Sequence, residues 1–126
     1  MNGIITTIRW RKLAGKRGTW FAEVTWEDGI IEILPIALSH LTKFDKALGM
    51  MTYEDKFRPH HYAKADEFAE AVRSKGRVVL ADSIPPKTET SGAEVTKLRD
   101  VFDVAHVSYD DRVLRFALPR RYRQAV

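Results

Sequence analysis

The sequence holds no cysteine, which excludes disulfide staples, thiolate metal sites and a cysteine nucleophile. It has no long hydrophobic run either. The longest apolar stretch, 30–38, is interrupted by Glu32 and Pro35 and falls far short of the roughly 20 residues of a membrane-spanning helix. No basic segment precedes an apolar one in the first residues, so no secretory signal is expected and the cytoplasm is the expected location. Motifs that would name an activity are also missing. There is no Gly-x-Ser-x-Gly elbow, no Ser-x-x-Lys, no His-Glu-x-x-His and no Gly-x-x-x-x-Gly-Lys loop.

Acidic residues are absent from both ends of the chain. Residues 1–22 carry Arg9, Arg11, Lys12, Lys16 and Arg17 and no acid. Residues 112–126 carry Arg112, Arg115, Arg120, Arg121 and Arg123, again without an acid. The middle, 23–111, holds all 17 acidic residues against 11 basic ones and is net −6, although the whole chain is +4. If the ends meet in space, such a layout polarises the electrostatic field.

What is present suits one soluble domain spanning 1–126, with a basic tail over 119–126. Apolar residues make up 44% and charged residues 30% of the 126, enough for a core and too apolar for a disordered chain. Residues 4–13 and 19–27 alternate apolar and polar side chains as strands do. Asp28-Gly29 is a hairpin signal, and 30–34 completes a three-stranded meander that Pro35 is expected to end. Leu38, Leu41, Phe44, Ala47 and Leu48 recur at spacings of three and four, which predicts a helix. Thr52 with Asp55 suggests a short second one. Pro59 opens a further helix through about Lys75, ended by Gly76. Val78 to Ala81 reads as a strand and 82–91 as a loop. Ser91 with Glu94 forms a capping box ahead of Val95, Leu98, Val101 and Phe102, another helical stripe. Residues 104–109 and 112–118 read as a hairpin around Asp110-Asp111, closed by Pro119. The expected fold class is α+β: an antiparallel sheet, made of the N-terminal meander and the C-terminal hairpin, with two to three helices on one face.

Trp20-Phe21-Ala22-Glu23-Val24 followed by Asp28-Gly29 and Leu34-Pro35 resembles the Trp-x-Ala-x-Val…Asp-Gly stretch of Tudor- and Agenet-type SH3-like barrels. The likeness spans 20–35 alone, implies a twisted hairpin there and carries no ligand with it.

The four histidines lack partners at local spacing. His60 and His61 are adjacent, with Ala63, Lys64 and Ala65 at the helical offsets, and His40 has Lys43 and Phe44. No metal site and no cofactor are expected. The leading reading is a small non-enzymatic binding protein for DNA or RNA, with Arg9, Arg11, Lys12, Lys16, Arg17, Arg115, Arg120, Arg121, Tyr122 and Arg123 as its surface. Cations hold phosphates, and aromatic rings beside them stack on bases. Trp10, Trp20 and Trp26 are either core or part of that platform. A protein-interaction module, inhibitor or adaptor, binding an acidic protein surface is the alternative. A metal-dependent or histidine-based hydrolase built on His60, His61 and Asp66 stands third. Oligomeric state is not legible in the sequence.

Overall fold

Alternation builds the first three strands as expected. In the computed structural model, which describes residues 4–10, 20–88 and 93–124 apart from the side chains of Glu94, Arg123 and Gln124, β1 (Ile4–Trp10), β2 (Phe21–Trp26) and β3 (Ile31–Leu38) form an antiparallel meander. Gly29 takes φ +87° in the β2–β3 turn, where the Asp28 carboxylate accepts the Ile30 N–H at 3.0 Å. Pro35 does not end β3. It stands opposite Phe21, where pairing with β2 stops, and from Ile36 onward the strand pairs in parallel with β6 (Arg77–Ile84).

The remaining elements overturn the expected α+β class with two to three helices on an all-antiparallel sheet. The described residues are mostly strand, the sheet is mixed, and there is one α-helix, α1 (Tyr62–Lys75). The stripe from Leu38 to Leu48 forms a single 3₁₀ turn, Ser39–Leu41, and then β4 (Thr42–Asp45), paired with β5 (Met50–Lys56). Asp45 folds the connection by accepting the N–H groups of Ala47 and Leu48 on its carboxylate, and Gly49 supplies φ +69°. Phe44 and Leu48 are exposed at 62% and 46%, so the stripe never buried a face. Thr52 lies inside β5 and caps nothing.

The helix expected over Val95 to Phe102 fails for a different reason. Residues 94–110 are one long strand, β7 (Glu94–Asp110). Its pairing with β6 slips twice, between Val79 and Ala81 and between Asp82 and Ser83. Each slip inserts an extra residue in β7. Val95, Leu98 and Val101 therefore face the same core at intervals of three, a spacing that imitates a helix. Bulges, not helical turns, produce it.

Helix α1 matches the sequence signals. Pro59 starts a 3₁₀ turn leading into it, Gly76 ends it with φ +68°, and Ala65, Phe68, Ala69 and Val72 form its buried stripe.

β7 and β8 (Val113–Gln124) form the C-terminal hairpin. Asp111 and Arg112 both take positive φ in its two-residue turn, as a type I′ turn requires. β8 continues through Pro119. Asp103 stands opposite Arg120 but Ala105 opposite Ala117, so a bulge holds Leu118 and Pro119, a position where a missing N–H costs nothing. Residues 119–124 are thus strand, where a tail was expected. Before the bulge Leu114, Phe116 and Leu118 face α1. After it Tyr122 faces the other way.

Strand order is β1-β2-β3-β6-β7-β8-β5-β4, and β1 also pairs in parallel with the end of β8, Ile4 opposite Arg123. Six strands therefore close into a small barrel, which β5 and β4 extend along the first half of β8. Every barrel strand contributes to the interior: Ile5, Ala22, Val24, Trp26, Leu34, Ile36, Val79, Ala81, Val101 and Tyr122. A second core lies outside the barrel wall, where α1 covers Ala37, Tyr53, Val78, Leu114, Phe116 and Leu118. Each large side chain buried in either core stabilises the fold by about 1.5–3 kcal/mol. Among the described residues no helix is long and apolar enough to cross a membrane.

Candidate nucleic-acid interface

The residues singled out in the sequence fall into three groups. Arg11, Lys12, Lys16 and Arg17 lie outside the described residues, as does the side chain of Arg123. Arg115 lies on the first half of β8, opposite Glu54 of β5, and its guanidinium meets that carboxylate at 3.3 Å. Arg112, in the preceding turn, pairs with Asp66 at 3.0 Å and stacks 4.3 Å from the Tyr62 ring. Arg120 and Arg121 lie just ahead of the pairing of Ile4 with Arg123, whereas Arg9 lies at the other end of β1, away from it.

That pairing is what brings the chain ends together. Eight residues of strand separate Arg115 from Arg123, about 26 Å, several times the Debye length of about 8 Å at physiological salt. The C-terminal arginines therefore do not act as one patch. Only the stretch beyond Pro119 pairs with β1, at Arg123 and Gln124.

Their surroundings differ from one to the next. Arg9 stands opposite Glu23 on β2 and pairs with it at 3.1 Å while staying 58% exposed. Arg121 reaches Asp100 at 3.8 Å, a loose contact. Arg120 lies 4.7 Å over the Tyr122 ring and has no carboxylate partner among the described residues. Tyr122 itself is 3% exposed, packed edge-on against Trp26 inside the barrel, so it is no stacking surface for a base. Trp26 is likewise buried, and Trp10 packs half-buried at the barrel core. Trp20 departs from the alternation of β2. It lies against Phe57, Phe68 and His61 beside α1, 5.5–5.7 Å between ring centroids.

Arg77 is the cation that the sequence did not single out. It sits at the barrel mouth between the Trp26 and Tyr122 rings, 4.9 and 5.1 Å from their centres. Its guanidinium faces Glu32 at 3.4 Å and Asp103 at 3.7 Å, and the Trp26 indole N–H donates to the same Glu32 carboxylate at 3.1 Å. Burial works against the Arg77 charge, yet the Tyr122 hydroxyl and the two carboxylates outweigh it and hold the guanidinium above its ordinary value. Held by these partners and only 15% exposed, Arg77 is tied to the barrel rather than standing free.

The histidines are less isolated than their local sequence implies. His61 packs on Trp20. His40 Nδ1 lies 2.6 Å from Ser83 Oγ, a contact between residues 43 positions apart that no local spacing announces. One signal exists in the strands: each follows an apolar run, 36–38 and 79–81, by two residues, and parallel pairing of those runs sets the two side by side. Asp66, the expected acid partner of His60 and His61, is taken by Arg112 and by the Tyr109 hydroxyl at 2.5 Å. Burial and that hydrogen bond push the Tyr109 hydroxyl up to about 12. Among the described residues no three His, Asp or Glu side chains gather as metal ligands.

Comparison with protein-family models, with curated proteins and with solved structures finds no match to this chain.

Proposed function

We propose that this is a nucleic-acid-binding protein that holds a DNA or RNA strand by its phosphates beside the seam where the start of β1 meets the second half of β8. The observation that carries the reading is the parallel pairing of Ile4 and Ile5 with Arg123 and Gln124, because it joins the start of β1 to the acid-free stretch that holds Arg120 and Arg121. Arg120, with no carboxylate partner among the described residues, and the loosely held Arg121 support it. The burial of Tyr122 and Trp26 removes the expected stacking platform and leaves phosphate contact as the source of affinity. Such contacts fix position and carry no sequence information.

Fluorescence anisotropy of labelled single-stranded DNA and RNA over a salt series tests this. Engagement of roughly 3–5 phosphates gives a log–log salt slope of about −2 to −4, with little preference among sequences. Absence of binding at low salt would sink the reading and favour an acidic protein surface as the partner of the same cations.

A further inference from the structure

The parallel pair of β3 and β6 ends in a serine–histidine contact that the nucleic-acid reading does not use. Leu38 stands opposite Ala81, and two residues further along each chain His40 meets Ser83. Three groups surround the Ser83 hydroxyl oxygen. The His40 ring nitrogen Nδ1 is 2.6 Å away, the His40 backbone N–H donates to it at 3.2 Å, and Ser39 Oγ lies 3.4 Å away. The Ser83 backbone N–H in turn donates to Ser39 Oγ at 3.0 Å.

A serine hydroxyl has one proton and two lone pairs. The His40 N–H occupies one lone pair, so the proton has two targets, Nδ1 and Ser39 Oγ. The imidazole is closer by 0.8 Å, the difference between the two distances just given. Partial burial holds the His40 imidazole below its ordinary value, which favours the neutral ring, and in the tautomer protonated at Nε2 the Nδ1 accepts. The backbone tie between the 3₁₀ turn and β6 needs only the two serines and the His40 N–H. The imidazole is surplus to it. Both His40 and Ser83 are half-buried, so neither is sealed in a core.

We propose that Ser83 is an activated nucleophile and His40 its general base, able to take an acyl group from a small ester. In the first step Ser83 Oγ bonds to the ester carbonyl carbon while its proton passes to His40 Nδ1. The tetrahedral oxyanion then collapses, the bond from carbon to the alkoxide breaks, and the alkoxide leaves with the proton from Nδ1 as an alcohol. Water repeats the sequence on the acyl-serine: its proton goes to Nδ1, the carboxylic acid departs, and Ser83 recovers the proton. One ester and one water become one acid and one alcohol.

The test uses the full chain with a small alkyl fluorophosphonate and p-nitrophenyl acetate. Peptide mass spectrometry is expected to find the phosphonyl adduct on Ser83, and the acetate ester should release nitrophenol. Both signals should vanish in Ser83→Ala, and labelling should slow at least about tenfold in His40→Gln, the loss of a positioned base. Labelling of the parent should rise with pH and level off below the ordinary histidine value. Absence of an adduct on Ser83 in the folded parent overturns the proposal. So does an adduct that forms at the same rate in His40→Gln. Should either variant fail to fold, Ser83→Cys serves instead. Its thiol should react with iodoacetamide at neutral pH faster than a free cysteine peptide, and an equal or slower rate overturns the proposal as well.

Discussion

The two halves of β8 carry the same kind of residue and put it to different use. Ahead of Pro119 the strand runs between β7 and β5 under α1, and the arginines there are neutralised: Arg115 by Glu54, and Arg112, in the turn that leads in, by Asp66. Beyond Pro119 it runs between β7 and β1, where Arg120 rests on an aromatic ring and Arg121 is 3.8 Å from its carboxylate. The bulge at Leu118 and Pro119 separates them. It also turns the inward side chains from the helix-side core to the barrel interior, so that Tyr122 meets Trp26. Formal charge counted along a sequence is therefore a poor measure of available charge. Packing decides which cations hold a carboxylate: Asp103 stands opposite Arg120 but lies against Arg77.

The largest effect should come from removing the residue that ties the second half to the barrel. Tyr122 fills the interior beside Trp26 and has the guanidinium groups of Arg77 and Arg120 against its ring. Tyr122→Ala should cost about 3–5 kcal/mol in denaturant unfolding, the usual price of a buried aromatic. Phe116→Ala, stacked on Tyr53 at 4.6 Å in the helix-side core, should cost a similar amount. A loss under about 1 kcal/mol for Tyr122→Ala, the scale of an ordinary surface change, would show that closure at β1 and β8 contributes little.

A smaller effect separates the charges themselves. Arg120→Ala with Arg121→Ala should weaken binding to every nucleic acid alike and reduce the steepness of the salt slope by about 1–2. Arg112→Ala with Arg115→Ala should leave binding and slope where they were and cost less than about 1 kcal/mol of stability for each exposed pair. Equal losses of affinity from the two double variants would erase the distinction between the halves of β8.

How much of this was legible follows from which signals are local. The meander, the Asp28-Gly29 turn, α1 with its Pro59 start and Gly76 end, and the final hairpin all rest on contacts between near neighbours, and each is in the structure. The rest depends on partners far along the chain. Three-residue intervals in Val95, Leu98 and Val101 come from bulges against β6, and no window within 94–103 can distinguish them from a helix. Pro35 and Pro119 suggest strand ends, but each sits where its strand changes partner or bulges, which only the sheet reveals. The basic residues were visible as residues. Their neutralisation by Glu23, Glu54 and Asp66 was not, because it depends on strand register and on the packing of α1. Arg77 carries no local signal for the same reason: its partners come from β2, β3, β7 and β8.

The smallest effect concerns acid. His61 lies against Trp20, and burial, followed by His60, Lys64 and Arg58, holds its imidazole below the ordinary value of 6.5. The unfolded chain therefore takes up this proton first as pH falls. Above 6.5 both states are neutral at this site and the packing is fully present. Below it the unfolded state gains a charge that the folded state resists, so stability declines until His61 protonates in the folded protein as well. His40, also held low by burial, adds a decline in the same direction, which is why a single variant is needed to isolate His61. Thermal melts of the parent and His61→Gln at about pH 7.5 and about pH 5 make the comparison. The parent should lose more stability between the two, by a margin under about 1 kcal/mol, as befits a half-exposed side chain. Equal losses would mean that the burial of His61 and its cationic neighbours do not resist the charge, and that acid acts on this fold through His40 or the carboxylates.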